Sequence, residues 1–326
     1  MSTSKQPYFP PGTAYVDGDY LPLSEARLPI LDWGFLHGDA TYDVVHVWKG
    51  RFFRLDAHFD RFFRNVDRMH LEMELDRDGL AAILAECVRR SGLEDAFVEM
   101  ICTRGMPAMP SRDPRDAINR VYAFAMPFGW VADEKQREKG LHLRIARSVT
   151  RISPHAVDPT VKNYHWLDLI MGLYEAYDQE AENVVLCDEA GNVTEGPGFN
   201  LFALIDGRMK TPASGVLEGI TRKTAIDLCE MIQLPVDVTT LPADRVRGAQ
   251  EVFITSTAGG IMPVTVIDDQ PVADGEVGET TRRLDGLYWD KHDDPAWSTG
   301  VDELRRRHLS HADFRGRPSM SALRTP

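Results

Sequence analysis

Val161-Lys162-Asn163-Tyr164-His165-Trp166 decides how this chain is read, together with three later segments: Thr194-Glu195-Gly196-Pro197-Gly198-Phe199-Asn200, Gly219-Ile220-Thr221-Arg222 and Ser256-Thr257-Ala258-Gly259-Gly260. In order, they supply an amine nucleophile, a carboxylate in a glycine-rich turn, and two backbone-rich cradles for an anion. A lone lysine is most often a solvated surface group. Here Val161, Tyr164 and Trp166 give Lys162 an apolar setting, where desolvation disfavours the charged form and keeps the amine nucleophilic. The glycines beside Glu195 let backbone approach closely, and Phe199 begins an apolar strand. Gly219-Ile220-Thr221 opens a helix whose first N–H groups are free for an anion. Ser256 and Thr257 lead from an apolar strand into a glycine turn that suits a second anion nest.

Composition narrows the class. The chain has 326 residues, 43% apolar and 27% charged, with a net charge of -13. That balance fits a globular protein of one large or two ordinary domains, and it argues against nucleic-acid and anionic-membrane partners. Residues 1–12 contain no apolar core of signal-peptide length, and no run approaches the roughly 20 apolar residues of a membrane span. Cys87, Cys102, Cys187 and Cys229 are scattered and form no C-x-x-C pair, so free buried thiols in a cytoplasmic protein are expected. No metal site is expected: His308 and His311 have helical spacing but bring no further ligands.

The coarse reading is mixed α/β, of the α+β kind, in two domains. Thr13 to Leu23 reads as a hairpin about Asp17-Gly18. Thr41 to Trp48 reads as a strand that returns through Arg51 to Leu55. Asp56 reads as the N-cap of a helix carrying Phe59, Phe62, Phe63, Val66 and Met69, and Asp78 to Ser91 as a second helix. Ala96 to Thr103 and Arg120 to Met126 read as strands. A smaller N-terminal α/β domain is expected over 1–128, a connector over 129–139, a larger C-terminal domain over 140–291 and a polar tail over 292–326. In the larger domain, Asn163 to Glu180, Thr221 to Ile232 and Gly278 to Trp289 read as helices. Leu141 to Val149, Asn183 to Asp188, Asn200 to Ile205 and Glu251 to Thr255 read as strands.

The four opening segments supply the parts needed to hold and run pyridoxal 5'-phosphate. Its aldehyde needs a lysine, its ring nitrogen an acid partner, and its phosphate a helix start. Together they resemble the fold-type-IV pyridoxal-phosphate enzymes, a family of branched-chain and D-amino-acid aminotransferases, aminodeoxychorismate lyases and (R)-selective amine transaminases. The resemblance runs from about Gly12 to Asp290. It implies that Lys162 is the Schiff-base lysine and proton shuttle, and that Glu195 pairs with the pyridine nitrogen. It further implies that Arg61, in His58-Phe59-Asp60-Arg61, binds the phosphate with Ile220, Thr221, Thr257 and the adjoining Ser256, and that Leu217 packs on the ring. A homodimer with sites at its interface is also implied, with Trp130 near the partner's site.

Within the family, the pocket residues look most like the (R)-amine transaminases. Branched-chain enzymes carry an arginine for the substrate carboxylate where this chain has Glu99, and a carboxylate there repels another. Gly34 to Val44 and Asp158 to Asn163 look like the amine enzymes, so His37, Tyr42, Val44, Phe97, Glu99 and Trp166 are expected to line the substrate pockets. Arg112 matches a mobile arginine for the keto acid, and Arg115 competes for that role. The implied reaction is ping-pong transfer of an amino group from a primary (R)-amine to a keto acid such as pyruvate. A branched-chain or D-amino-acid aminotransferase is the alternative. A lyase or a non-catalytic cofactor-binding protein stands behind it.

Overall fold

A computed structural model describes residues 7–304. Its first sheet is antiparallel, with seven strands in the order Ser298–Gly300, Arg51–Phe53, Ala40–Trp48, Ala96–Pro107, Ala117–Pro127, Thr13–Val16, Asp19–Pro22. Strand alternation gives the two faces different jobs. Val45, Val47, Val98 and Met100 point to one side. There they meet Phe59, Phe62 and Val66 of helix Leu55–Arg68 and Leu80, Leu84 and Val88 of helix Arg77–Ser91, all buried. Each such buried side chain contributes about 1.5–3 kcal/mol. The other face carries Ala40, Tyr42 and Val44. Their register partners Thr103, Ile101 and Glu99 lie directly opposite, with Phe97 two residues beyond Glu99 on the same face.

The second sheet is mixed. Its main path is Val236–Thr239, Arg208–Pro212, Phe199–Ile205, Glu251–Ser256, Gly260–Ile267, Leu141–Thr150, Asn183–Cys187. The short strand Glu195–Gly196 pairs with Phe199–Ile205. Helices Ile220–Met231 and Glu279–Asp290 bury Leu228, Leu284 and Tyr288 against Phe202 and Phe253. Helix Leu167–Tyr177 packs Leu169 and Ala176 on Val184 and Leu186. All four cysteines are buried and unpaired. Among the described residues no helix is long and apolar enough to cross a membrane.

The mixed α/β architecture is as expected; several local readings need correction. Helix Leu55–Arg68 is capped by Arg54, in a left-handed conformation (φ 55). Asp56 therefore lies inside the first turn, where its charge meets the positive helix end. The helix expected from Asn163 starts only at Leu167, because the chain before it is held extended: the Thr41 hydroxyl and Tyr42 N–H both donate to the Lys162 carbonyl, at 2.7 and 3.2 Å. The segment expected as a connector contains a helix, Glu134–Lys139, closed by a capping box of Asp133 and Gln136.

The tail expected from residue 292 is structured as far as the described chain goes. Ser298–Gly300 covers the edge of strand Arg51–Phe53, whose backbone groups otherwise lack partners. Leu304 enters the first core. Residues 305–326, with His308 and His311, lie outside the described residues.

Candidate active site

A cavity of about 470 Å³ is lined from both sheets, with Lys162 and Glu195 among its walls. The chain leading to Lys162 is pinned by Arg68, which donates to Thr160 Oγ1 at 2.8 Å and Asp158 Oδ2 at 2.5 Å. Beyond the two bonds to its carbonyl, the Lys162 N–H has Asn65 beside it. With its amide oriented to satisfy both neighbours, Asn65 accepts from Lys162 at 3.1 Å and donates to the Arg61 carbonyl at 3.3 Å. The backbone of Lys162 is thus fixed, and its Nζ stands 4.3 Å from the Tyr42 ring centroid.

Glu195 is buried at the start of its short strand. Its Oε2 accepts from Leu217 N–H at 2.8 Å, and its Oε1 from Arg151 Nη2 at 3.0 Å. Arg151 also donates to Asp168 Oδ2 at 2.6 Å, so one guanidinium serves two carboxylates. Burial pushes the Glu195 carboxyl above its ordinary range, with Arg151 and Leu217 pulling the other way. Sequence reasoning missed Arg151 and Asp168: neither belongs to a motif, and only the fold brings them to Glu195.

Arg61 and the start of helix Ile220–Met231 also line the cavity. Asp43 holds the guanidinium of Arg61 with two hydrogen bonds, 2.7 Å from Nε and 2.8 Å from Nη2. Arg61 Nη1 donates to the Glu218 carbonyl at 3.0 Å, and His58 Nδ1 lies 2.7 Å from Asp43. These two partners, Arg61 first, hold the Asp43 carboxyl far below its usual range against the cost of burial. The helix N-cap is Gly219, which offers no side-chain acceptor to the first N–H groups. A Cβ on Gly219 would stand 2.1 Å from Asn200 Oδ1, so only glycine permits this approach. Ser256 Oγ donates to the Gly198 carbonyl at 2.9 Å and accepts from Ala258 N–H, which fixes the turn at Thr257.

The remaining wall carries Val44, Phe97, Glu99 and Trp166. Tyr164 donates its hydroxyl to Glu99 Oε1 at 2.6 Å and stacks on Tyr42, with ring centroids 4.3 Å apart and 11° between planes. Burial raises the Glu99 carboxyl. Ile220, Thr221, Leu217, Ser256 and Thr257 all reach the same cavity.

Three other candidate residues lie elsewhere on this chain. His37, on the short helix Trp33–His37, lines a second cavity of about 1120 Å³, because that helix packs at the far end of the first sheet's open face. Arg112 is exposed on a loop outside both cavities. Trp130 is absorbed into an aromatic cluster with Trp48, Phe128 and Trp289, under Arg137 at 3.5 Å.

A model of amino-transferase class IV matches residues 40–267, the span that holds every wall of the 470 Å³ cavity. The chain belongs to the class IV aminotransferases. Over 279 residues it is 28% identical to a putative branched-chain-amino-acid aminotransferase of Methanocaldococcus jannaschii, covering 85% of this chain and 95% of that one. It is 27% identical over 273 residues to a D-alanine aminotransferase of Staphylococcus haemolyticus, covering 83% and 94%. Its fold matches a T.th. branched-chain amino acid aminotransferase with pyridoxamine 5'-phosphate at a TM-score of 0.84 and 26% identity, over 90% of this chain and 100% of that one. As a class IV aminotransferase, the chain is a transaminase.

Proposed function

We propose that this aminotransferase uses pyridoxal 5'-phosphate to move the amino group of a primary (R)-amine to a keto acid such as pyruvate. One observation carries the donor reading. The substrate wall presents the Glu99 carboxylate, while both arginines that line the cavity are engaged, Arg61 by Asp43 and Arg151 by Glu195 and Asp168. A donor carboxylate placed there meets a like charge, whereas an apolar substituent does not.

The cavity's groups suit this cofactor. A capless helix start, the Gly219 cradle and Arg61 offer donors to a phosphate, and Glu195 offers an acid partner deeper in. Thr255 Oγ1 is buried at the wall with no partner among the described residues, a polar group ready for a bound molecule. When bound, pyridoxal phosphate supplies an aldehyde that takes up amines and a ring that spreads negative charge. Lys162 Nζ moves the proton at the amine carbon, on a backbone fixed by Thr41, Tyr42 and Asn65. Glu195 holds a proton toward the ring nitrogen, and its raised pKa suits a shared proton. Arg112 makes no ion pair among the described residues, while Arg115 is held by Asp113. Arg112 is therefore the better candidate for the cation that swings in for the keto acid.

A homodimer is part of the proposal. Leu28, Phe35, Leu167 and Met171 are exposed apolar residues around the second cavity, and a second copy of this chain is the occupant assigned to that face. Sedimentation that finds a fully active monomer would overturn this, along with the role for Trp130 at a partner's site.

The names of the relatives favour a second reading, a branched-chain or D-amino-acid aminotransferase. Product analysis decides between them. Acetophenone and alanine formed from (R)-1-phenylethylamine and pyruvate, but not from the (S) amine, support the first. Turnover confined to amino-acid donors supports the second.

A further inference from the structure

Behind the turn at Thr257 lies a buried histidine pair. His46 follows Val44 on the open face of the first sheet and lies opposite Phe97, so it stands one layer behind two walls of the Lys162 cavity. Its Nε2 is 2.7 Å from His292 Nε2. His292 Nδ1 lies 3.0 and 3.2 Å from the Tyr288 and Trp289 carbonyls, at the C-terminal end of helix Glu279–Asp290. Two facing acceptors oblige His292 Nδ1 to carry a hydrogen. In a neutral His292 the Nε2 is then bare, and His46 must donate to it. A neutral His46 in turn has a bare Nδ1. That atom is buried and has no partner among the described residues, and the Thr257 carbonyl that faces it is an acceptor like itself. One added proton satisfies all four ring nitrogens.

We propose that His46 and His292 are positioning residues for the Thr257 turn, and that the pair takes one proton from solvent when the cofactor's phosphate fills the cradle beside it, so that His46 Nδ1–H donates to the Thr257 carbonyl. The surroundings leave this proton poised. Burial, reinforced by His292 and His58, lowers His46, and burial lowers His292 to about 4, so without an anion the pair is neutral near pH 7. Against that stand the negative end of the helix and the ring faces of Phe53 and Trp289, stacked on His292 at 3.9 and 4.8 Å. Asp293 favours the proton on His292, and Lys49 opposes it. Further out, Asp285 and Arg54 face Tyr288, and Arg137 covers Trp130. A phosphate dianion adds the charge that tips this balance, and by linkage the proton tightens the anion. The inference rests on the pyridoxal-phosphate reading only for the identity of that anion.

The test titrates the full chain, freed of cofactor, with pyridoxamine 5'-phosphate, which has no aldehyde to react with Lys162. Calorimetry near pH 7.5 in two buffers of different ionisation enthalpy gives the protons taken up on binding. Those of the ligand and of Lys162 are common to all forms and cancel in the difference. Wild type takes up as much as one proton more than H46N, and its Kd rises up to about tenfold more per pH unit. H46N keeps a donor at the place of Nδ1 that does not titrate, so its Kd stays within about threefold of wild type. H46L loses the donor and binds about tenfold more weakly. H292L frees a neutral His46 to carry its hydrogen on Nδ1, so it keeps the affinity and loses the extra uptake.

Equal uptake in wild type, H46N and H292L overturns the shared proton. A wild-type Kd in H46L overturns the positioning role. Should H46L fail to fold, the comparison of uptake in wild type and H46N decides alone. If pyridoxamine 5'-phosphate binds no form, the cofactor reading fails, and the same comparison with inorganic phosphate decides the pair; binding of neither overturns both.

Discussion

Asp43 and Glu195 are both buried carboxylates tied to arginine at the edge of one cavity, yet their surroundings push them in opposite directions. Asp43 has Arg61 to itself, with a hydrogen bond from His58 beside it, and together these outweigh the cost of burial. Glu195 shares Arg151 with Asp168, so burial wins and its proton is held more tightly. The count of cations per carboxylate decides which effect dominates. A fixed anion suits the task of orienting Arg61, whereas a carboxyl that readily takes a proton suits a partner for a ring nitrogen.

The largest expected effect breaks the first cluster. D43N leaves Arg61 buried without a counter-charge and costs about 3–5 kcal/mol of stability. Denaturant unfolding reads this, and the loss of kcat in the folded fraction is smaller than that in E195Q. E195Q sharpens the second half of the comparison. It keeps the shape but removes the acid, and kcat falls by about 10²–10³, with stability near wild type. If both variants lose activity and stability in the same proportion, the division of labour is wrong. R151K comes next. A lysine cannot bridge two carboxylates in a fork, and about 1–2 kcal/mol, a five- to thirtyfold loss in kcat, is expected.

The smallest effect is in the pH dependence of the cofactor-free protein, where ligand linkage does not enter. The Asp43 pKa is depressed on folding, so its contribution is present above the usual carboxylate range and is lost as pH falls below about 4. D43N should flatten the fall of Tm on that acid side. Glu195 has the opposite sign. Its raised pKa favours folding in the protonated form, a contribution lost as pH rises through the folded value. The Tm of E195Q should therefore gain on wild type as pH rises, and a gain on acidification instead would reverse the assignment.

Much of this was legible in the chain because motifs carry local geometry. Glycines around Glu195 and before Ile220 announce close backbone approach, and Asp17-Gly18 announces its hairpin. Arg61 stood out only by resemblance, and the Asp43 that holds it sat unremarked in the strand Ala40–Trp48. Arg151 was invisible because its partners are Asp168 and Glu195, whose nearness is a product of the second sheet. Ser298–Gly300 escaped notice because three polar or small residues carry no strand signal, and their pairing is dictated by the open edge of Arg51–Phe53. Strand Arg208–Pro212 failed for the same reason: its place comes from both neighbours in the sheet and not from β-branched alternation. Which cavity His37 meets could not be read from its motif, because a motif fixes local geometry and the packing of helix Trp33–His37 puts it at the second cavity.

The most direct measurement is a titration of the purified holoenzyme, following the visible absorption of the bound pyridoxal phosphate. (R)-1-phenylethylamine, (S)-1-phenylethylamine, L-leucine and D-alanine are added to separate samples. The account predicts that the (R) amine bleaches the band, that the (S) amine leaves it, and that the amino acids have little effect. Bleaching by L-leucine or D-alanine with none by either amine would contradict it, and would show that Glu99 does not turn away a donor carboxylate.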